Sequence, residues 1–270
     1  MTTSKASRVL RQATSATSAL LLAALLAACS LAPSTGPLAW GTAWQKTCPT
    51  GTLATYVTYD ISASSSPQPF GGGQDQYAVL EDAVARTAVC GGHLLVTGFA
   101  GSSANPYLFW DGDLSLPGAT DNARYRRLPD LIKQIDHEVA NNYNATLNRG
   151  PFPGTDVIGQ LRLAAEYAEQ VGPDASLWTI VVTDGLQTVS TQKWVISNAE
   201  DARAFADSVS VPKLSGELLF TGLGDRIDGE QVSTVTVENL KSIYARVCER
   251  TSASACQAVT DYTSPVGSGS

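Results

Sequence analysis

Histidine is nearly absent from this 270-residue chain, and the two present, His93 and His137, lie at spacings to the cysteines unlike those of a zinc site. Both read as structural or surface residues. Basic residues are also scarce, with 18 Lys and Arg against 25 Asp and Glu. The balance becomes more acidic once the first 28 residues are set aside, because Lys5, Arg8 and Arg11 go with them and leave 15 against 25, a net charge of −10. Such a surface is a poor match for a phosphate backbone, so nucleic acid is excluded as a partner. No Gly-x-Ser-x-Gly elbow and no internal repeat occurs. Beyond residue 28 no apolar run approaches the roughly 20 residues that a membrane helix needs.

The first 28 residues read as a secretory signal: the basic residues at 5, 8 and 11 precede a short apolar run from Ala19 to Ala28. That run ends in Leu26-Ala27-Ala28-Cys29-Ser30, which resembles the lipobox of bacterial lipoproteins and implies lipidation of Cys29. The diacyl or triacyl cysteine of such proteins holds a membrane stably, where one chain would not. The reading is therefore an extracytoplasmic body anchored to a bacterial membrane. The remaining cysteines, Cys48, Cys90, Cys248 and Cys256, form an even set in an oxidising compartment and imply two disulfides. Sequence alone permits three pairings. Residues 29–47, rich in Pro, Gly, Ser and Thr, read as a tether, although Trp40 and Trp44 are able to pack back on the body; residues 263–270 read as a frayed tail.

Between them, residues 48–262, apolar runs alternate with helical periodicity. Strands are expected at 53–61, 93–101, 177–182 and 217–224, with a last one in QAVTDY and an edge hairpin at 107–116. Helices are expected near 77–90, 128–142, 156–170, 199–209 and 237–250. Strands that read as continuous apolar runs and are separated by helices imply a mostly parallel sheet covered on both faces, a doubly wound α/β domain. In such a sheet ligands gather beyond the carboxyl ends of the strands. Two carboxylates fall there: Asp60, ending YVTYD, and Asp184, just after LWTIVV.

Asp60-Ile-Ser62-Ala-Ser64, then Gly154-Thr155-Asp156, then Val182-Thr183-Asp184-Gly185 follow one another in that order. The series resembles the von Willebrand factor type A (vWA) domain over roughly residues 50–262, with all five positions of that family's metal-ion-dependent adhesion site filled. Each fragment alone is weak, since SASSSP reads equally as a solvated loop and TDG as a plain turn. Structural context is what joins them: each stands at an expected strand end or helix start.

The chemistry is coherent on its own terms. Alternation along an extended segment points Asp60, Ser62 and Ser64 the same way while Ile61 packs inward. With Thr155 and Asp184 they form an all-oxygen set bearing two negative charges, suited to a hard divalent cation: Mg²⁺ first, Mn²⁺ or Ca²⁺ second. The resemblance implies that Ser62 and Ser64 bind the metal directly, Thr155 directly or through water depending on loop state, and Asp60 and Asp184 largely through water. It also implies an open coordination position that grips an Asp or Glu of a partner protein.

On the fold so implied, Cys48 and Cys90 lie together at the end of the sheet away from the metal, as do Cys248 and Cys256, which favours those two pairs. The interval from Asp60 to Thr155 is longer than the family usually needs. The extra length falls in residues 101–153, where aromatics stand beside the basic cluster Arg124, Arg126 and Arg127. Placed beside the metal rim, this insertion would supply partner specificity; otherwise it is a solvated decoration with an aromatic edge strand. The expected function is a membrane-anchored binding or adhesion module and not an enzyme. The alternatives are a structural envelope lipoprotein with an incidental metal site and a metal-dependent hydrolase. Against the last, no dedicated base accompanies the motif, and DISAS lacks the second carboxylate of a phosphoryl-accepting aspartate pattern.

Overall fold

Strand β1 (Leu53–Asp60) is buried along its whole length. Leu53, Val57 and Tyr59 belong to one core cluster and Ala54 and Tyr56 to the other, so the two-residue period of the strand feeds both faces. The computed structural model describes residues 36–65, 74–150, 152–188, 198–225 and 232–267. Cys29 and the signal segment lie outside them.

Among the described residues β1 joins β2 (Gly92–Phe99), β3 (Tyr107–Leu114), β4 (Ser176–Val182), β5 (Gly216–Thr221) and β6 (Ala255–Ala258) in one sheet ordered β3-β2-β1-β4-β5-β6. Every neighbouring pair is parallel except β2 with β3. Helices α1 (Pro37–Gln45), α2 (Gln74–Cys90), α3 (Asp121–Tyr125) and α4 (Leu128–Leu147) supply the core on one face. Helices α5 (Val157–Val171), α6 (Ala199–Ser208) and α7 (Thr234–Thr251) supply it on the other. The doubly wound α/β reading holds. No helix among the described residues is long and apolar enough to cross a membrane.

Three expectations are revised. From Pro37 the supposed tether is helix α1, opened by a proline at its first position, where a missing N–H costs nothing. Trp40 and Trp44, one turn apart, are buried, and Trp44 meets Trp178 of β4 at 5.9 Å between ring centroids. Gly41 is required between them: a Cβ there would stand 2.4 Å from Cγ of Tyr125. Residues 107–116 form no hairpin of their own but the single edge strand β3, antiparallel to β2. Residues 263–267, read as tail, instead belong to a segment that folds back on the body: Val259, Tyr262 and Val266 pack against the first core cluster, and Tyr262 donates to Oδ2 of Asp82 in α2 at 2.6 Å.

The insertion is mostly structural. Strand β3 runs from Tyr107 opposite Gly98 to Leu114 opposite Gly92, away from the strand ends that carry the motif. Arg124, Arg126 and Arg127 therefore follow at the far end of the sheet, where Arg124 donates to the Leu116 carbonyl at 3.3 Å. They are not rim residues. Helix α4 then returns along the sheet, burying Ile132, Ile135, Val139 and Tyr143. The disulfides join Cys48 to Cys90 and Cys248 to Cys256, the favoured pairing, with Cα separations of 5.3 and 5.7 Å. His93 is partly buried, its Nδ1 2.9 Å from the Tyr167 hydroxyl, while His137 is exposed.

Two carboxyls in this first layer are held above the ordinary aspartate range. Burial pushes Asp82 up to about 6, with Glu81 adding to the rise and the hydroxyls of Ser264 and Tyr262 opposing it. Burial and Glu81 push Asp136 up to about 7. The folded chain therefore binds these protons more tightly than the unfolded chain, whose carboxyls titrate near 3.9. The stability so contributed is complete below about pH 4 and is lost as pH rises through 6 to 7. The cation-free protein is expected to show a higher urea midpoint at pH 5 than at pH 8. Asp136→Asn is expected to flatten that slope, and an unchanged slope in the variant would refute the assignment.

Candidate metal centre

Asp60 ends β1 and Asp184 lies two residues beyond Val182 of β4, the neighbouring strand, so parallel pairing alone brings the two carboxylates to one rim. Asp60 and Asp184 are 4% and 2% exposed. Oδ1 of Asp60 accepts from the backbone N–H of Ser62 at 2.9 Å, while Oδ2 accepts from the hydroxyls of Thr183 at 2.7 Å and Ser65 at 3.0 Å. Ser65 in turn accepts from the Asp184 N–H at 3.1 Å, a one-atom bridge between the two motif segments. Oδ1 of Asp184 accepts from the N–H of Leu186 at 2.9 Å. Gly185 makes the turn at φ +84°, and a Cβ there would meet Leu223 at 2.8 Å.

Burial and like charge set the electrostatics of these two carboxyls. Burial pushes the Asp60 carboxyl up to about 6 and the charge of Asp184 adds to the rise, while Ser62 and the Thr183 hydroxyl oppose it. Ser62 is 3% exposed, and its side chain lies close enough to Asp60 to favour the ionised form, although its Oγ reaches no partner at ordinary hydrogen-bond geometry among the described residues. A cavity of about 10 Å³, lined by Asp60, Ser65, Thr183, Asp184 and Asp225, opens at the same place. That is space for one water-sized guest.

Thr155 lies on the loop that enters α5 and is 1% exposed. Its backbone is tied to the Asp184 loop: the Thr155 N–H donates to Oγ1 of Thr188 at 2.7 Å, and the Thr188 N–H donates back to the Thr155 carbonyl at 3.0 Å. Asp156 caps α5 by accepting from Gly159 N–H at 3.1 Å. Ser64 is half-buried on the turn that follows Ser62. The structure thus joins Asp60, Ser62 and Asp184 through shared hydrogen bonds or direct electrostatic contact, and Thr155 to the Asp184 loop through Thr188. Ser64 makes no hydrogen bond to them among the described residues.

Three participants escaped the sequence reading. Ser65 was hidden in a serine run, Thr183 was read only as part of the turn, and Thr188 stands outside every motif. The sole available signal for Thr183 was its place next to Asp184 at a strand end.

The donor set fits a hard divalent cation. It is all oxygen, it carries two buried carboxylates that repel one another, and it holds a buried hydroxyl with a lone pair to offer. Among the described residues no group of three or more His, Cys, Asp or Glu side chains is assembled for a metal. Among the described residues a cation here would rest on Asp60, Asp184 and neutral oxygens. Residues Ser62, Ser64 and Thr155 would offer hydroxyls, with Asp60 and Asp184 behind them.

No family model matches the chain, and no curated protein matches it. Among solved structures it is similar to an aerotolerance-related membrane protein from Bacteroides fragilis NCTC 9343 carrying multiple mutations to serines. Identity is 14%, coverage is 79% of this chain and 92% of that one, and the TM-score is 0.38. A likeness of that size carries no argument about the site; the architecture stands on the sheet order and registers above.

Proposed function

We propose that this chain is a vWA-type binding module whose rim uses one hard divalent cation, Mg²⁺ by its donor set, to capture an Asp or Glu side chain of a partner protein. Lipid on Cys29 would hold the module extracytoplasmically on a bacterial membrane. The observation that carries the reading is the pairing of Asp60 and Asp184, both buried and mutually repulsive, beside the buried side chain of Ser62, which favours the ionised form of Asp60. Buried like charges persist in a fold when something positive offsets them. A cation held by few charges keeps its own attraction for a further carboxylate, which is the chemistry it would supply. The chain's residues do the rest: Thr183 and Ser65 orient Asp60, Leu186 N–H orients Asp184, and the strands keep both at the rim.

The test is affinity capture from solubilised membranes on the full chain, with Mg²⁺ and with EDTA, beside the Asp60→Ala variant. A partner retained only with Mg²⁺ and lost in the variant is the expected result. The same captured proteins under all three conditions would remove the reading.

A further inference from the structure

The threonine loop and the aspartate loop come from chain segments some thirty residues apart, yet four hydrogen bonds join them among the described residues. Two are the reciprocal backbone contacts of Thr155 with Thr188. The other two come from the side chain of Gln187, which is 4% exposed: its Oε1 accepts from the Ile158 N–H at 3.1 Å and its Nε2 donates to Oδ1 of Asp156 at 3.3 Å. From the opposite side the fully buried Gln160 donates to the Asp156 carbonyl at 3.2 Å and accepts on Oε1 from Tyr56 at 3.2 Å. Its amide thus fastens the same loop to β1. The loop that carries Thr155 is therefore held both to the Asp184 loop and to the strand that carries Asp60.

We propose that Gln187 and Thr188 are positioning residues that staple the threonine loop to the aspartate loop, so that Thr155 stands in a single, preformed place relative to Asp184 whether or not a cation is bound. The inference rests on the cation reading above and deepens it by assigning how the site is regulated. Moving the 155–158 segment would break the two Thr188 contacts and these two Gln187 contacts together. Such a site is built to bind without a preceding loop shift. Affinity lost to rearrangement in a mobile loop is here retained, because a preorganised binder does not give up free energy to ordering. Capture at this rim is then set by the supply of cation and partner, not by a switch between two states of the threonine loop.

Thr188 is exposed, so substitutions there leave the core intact. Thr188→Val removes the hydroxyl acceptor of the Thr155 N–H and keeps the shape; Thr188→Ser keeps the hydroxyl. Gln187→Met removes both amide contacts at similar length. Two readouts on the full chain decide the matter: amide hydrogen exchange at Thr155, Ile158 and Gly159 without metal, and Mn²⁺ affinity. In the unsubstituted chain these amides are expected to be slow to exchange and to change by less than about twofold when Mn²⁺ is added, as a preformed loop requires. Thr188→Val and Gln187→Met are expected to speed exchange about tenfold and weaken Mn²⁺ binding about tenfold, the effect of one lost hydrogen bond near the upper end of its usual size, with Thr188→Ser restoring both. Fast exchange in the unsubstituted chain, becoming slow only with Mn²⁺, would overturn the staple, as would full Mn²⁺ affinity and unchanged exchange in Thr188→Val and Gln187→Met. Slow exchange together with no Mn²⁺ binding at all would leave the staple standing and overturn the cation reading instead, which keeps the two failures apart.

Discussion

Asp184→Asn is expected to lower divalent-cation affinity by about a hundredfold or more while leaving the cation-free protein at least as stable as the unsubstituted chain. The two halves of that result come from the same geometry. Asparagine keeps an oxygen for the Leu186 N–H, so the 2.9 Å turn contact survives. What disappears is one of only two charges in the donor set, along with the like-charge pressure that helps raise Asp60 to about 6. Relief of that pressure favours the cation-free fold. Mg²⁺ at about a hundred times its dissociation constant is expected to stabilise the unsubstituted chain by about 2.7 kcal/mol and the variant by nothing measurable. Thermal unfolding with and without Mg²⁺, paired with calorimetric titration, reads both effects. A variant that still responds to Mg²⁺ would show that Asp184 holds no cation. One that loses several kcal/mol in EDTA would show the carboxylate to be structural.

Cys48→Ala/Cys90→Ala is expected to cost about 4 kcal/mol, against about 2.5 kcal/mol for Cys248→Ala/Cys256→Ala, on the loop-entropy relation for disulfides. The difference follows from sequence separations of 42 and 8 residues. The longer loop encloses β1, the Asp60 motif and α2, and its first cysteine stands just after the helix that buries Trp40 and Trp44. Near that end Arg86 of α2 donates to the Thr47 carbonyl at 3.1 Å and to Glu217 Oε2 at 2.8 Å, with its guanidinium 4.6 Å from the Trp178 ring. Loss of the Cys48–Cys90 link in the unfolded chain is thus felt as a looser reference state, with the native contacts of Arg86 still in place. Both disulfides lie away from the Asp60 rim, so cation affinity is expected to stay within about twofold in either double variant while the denaturant midpoint falls, since separated sites act additively. Equal costs for the two pairs would contradict the entropic explanation.

Much of the fold was legible because its strands are continuous apolar runs. LWTIVV admits no reading other than a strand covered on both faces, and Leu53 to Asp60 is nearly as plain. Helix α1 was not legible. Pro, Gly, Ser and Thr dominate its surroundings, and only tertiary contact of Trp40 and Trp44 with the core makes a helix of a segment whose composition favours a linker. The far-end position of Arg124, Arg126 and Arg127 was likewise invisible, because it depends on the antiparallel direction of β3, which no local pattern encodes. At the site, Asp60 and Asp184 were found through strand ends and spacing, signals that survive in one dimension. Ser65, Gln187 and Thr188 act through contacts between segments over a hundred or some thirty residues apart, and polar loop residues of these types are common enough to carry no signal singly.

The most direct measurement is Mn²⁺ titration of the full chain followed by electron paramagnetic resonance and water-proton relaxation. The expected result is one ion per chain, with water on the bound ion that added acetate or glutarate displaces, the signature of a cation held by Asp60, Asp184 and neutral oxygens and still open to a carboxylate. No bound ion at millimolar Mn²⁺, or an ion whose relaxation is indifferent to added carboxylate, would contradict metal-mediated capture at this rim.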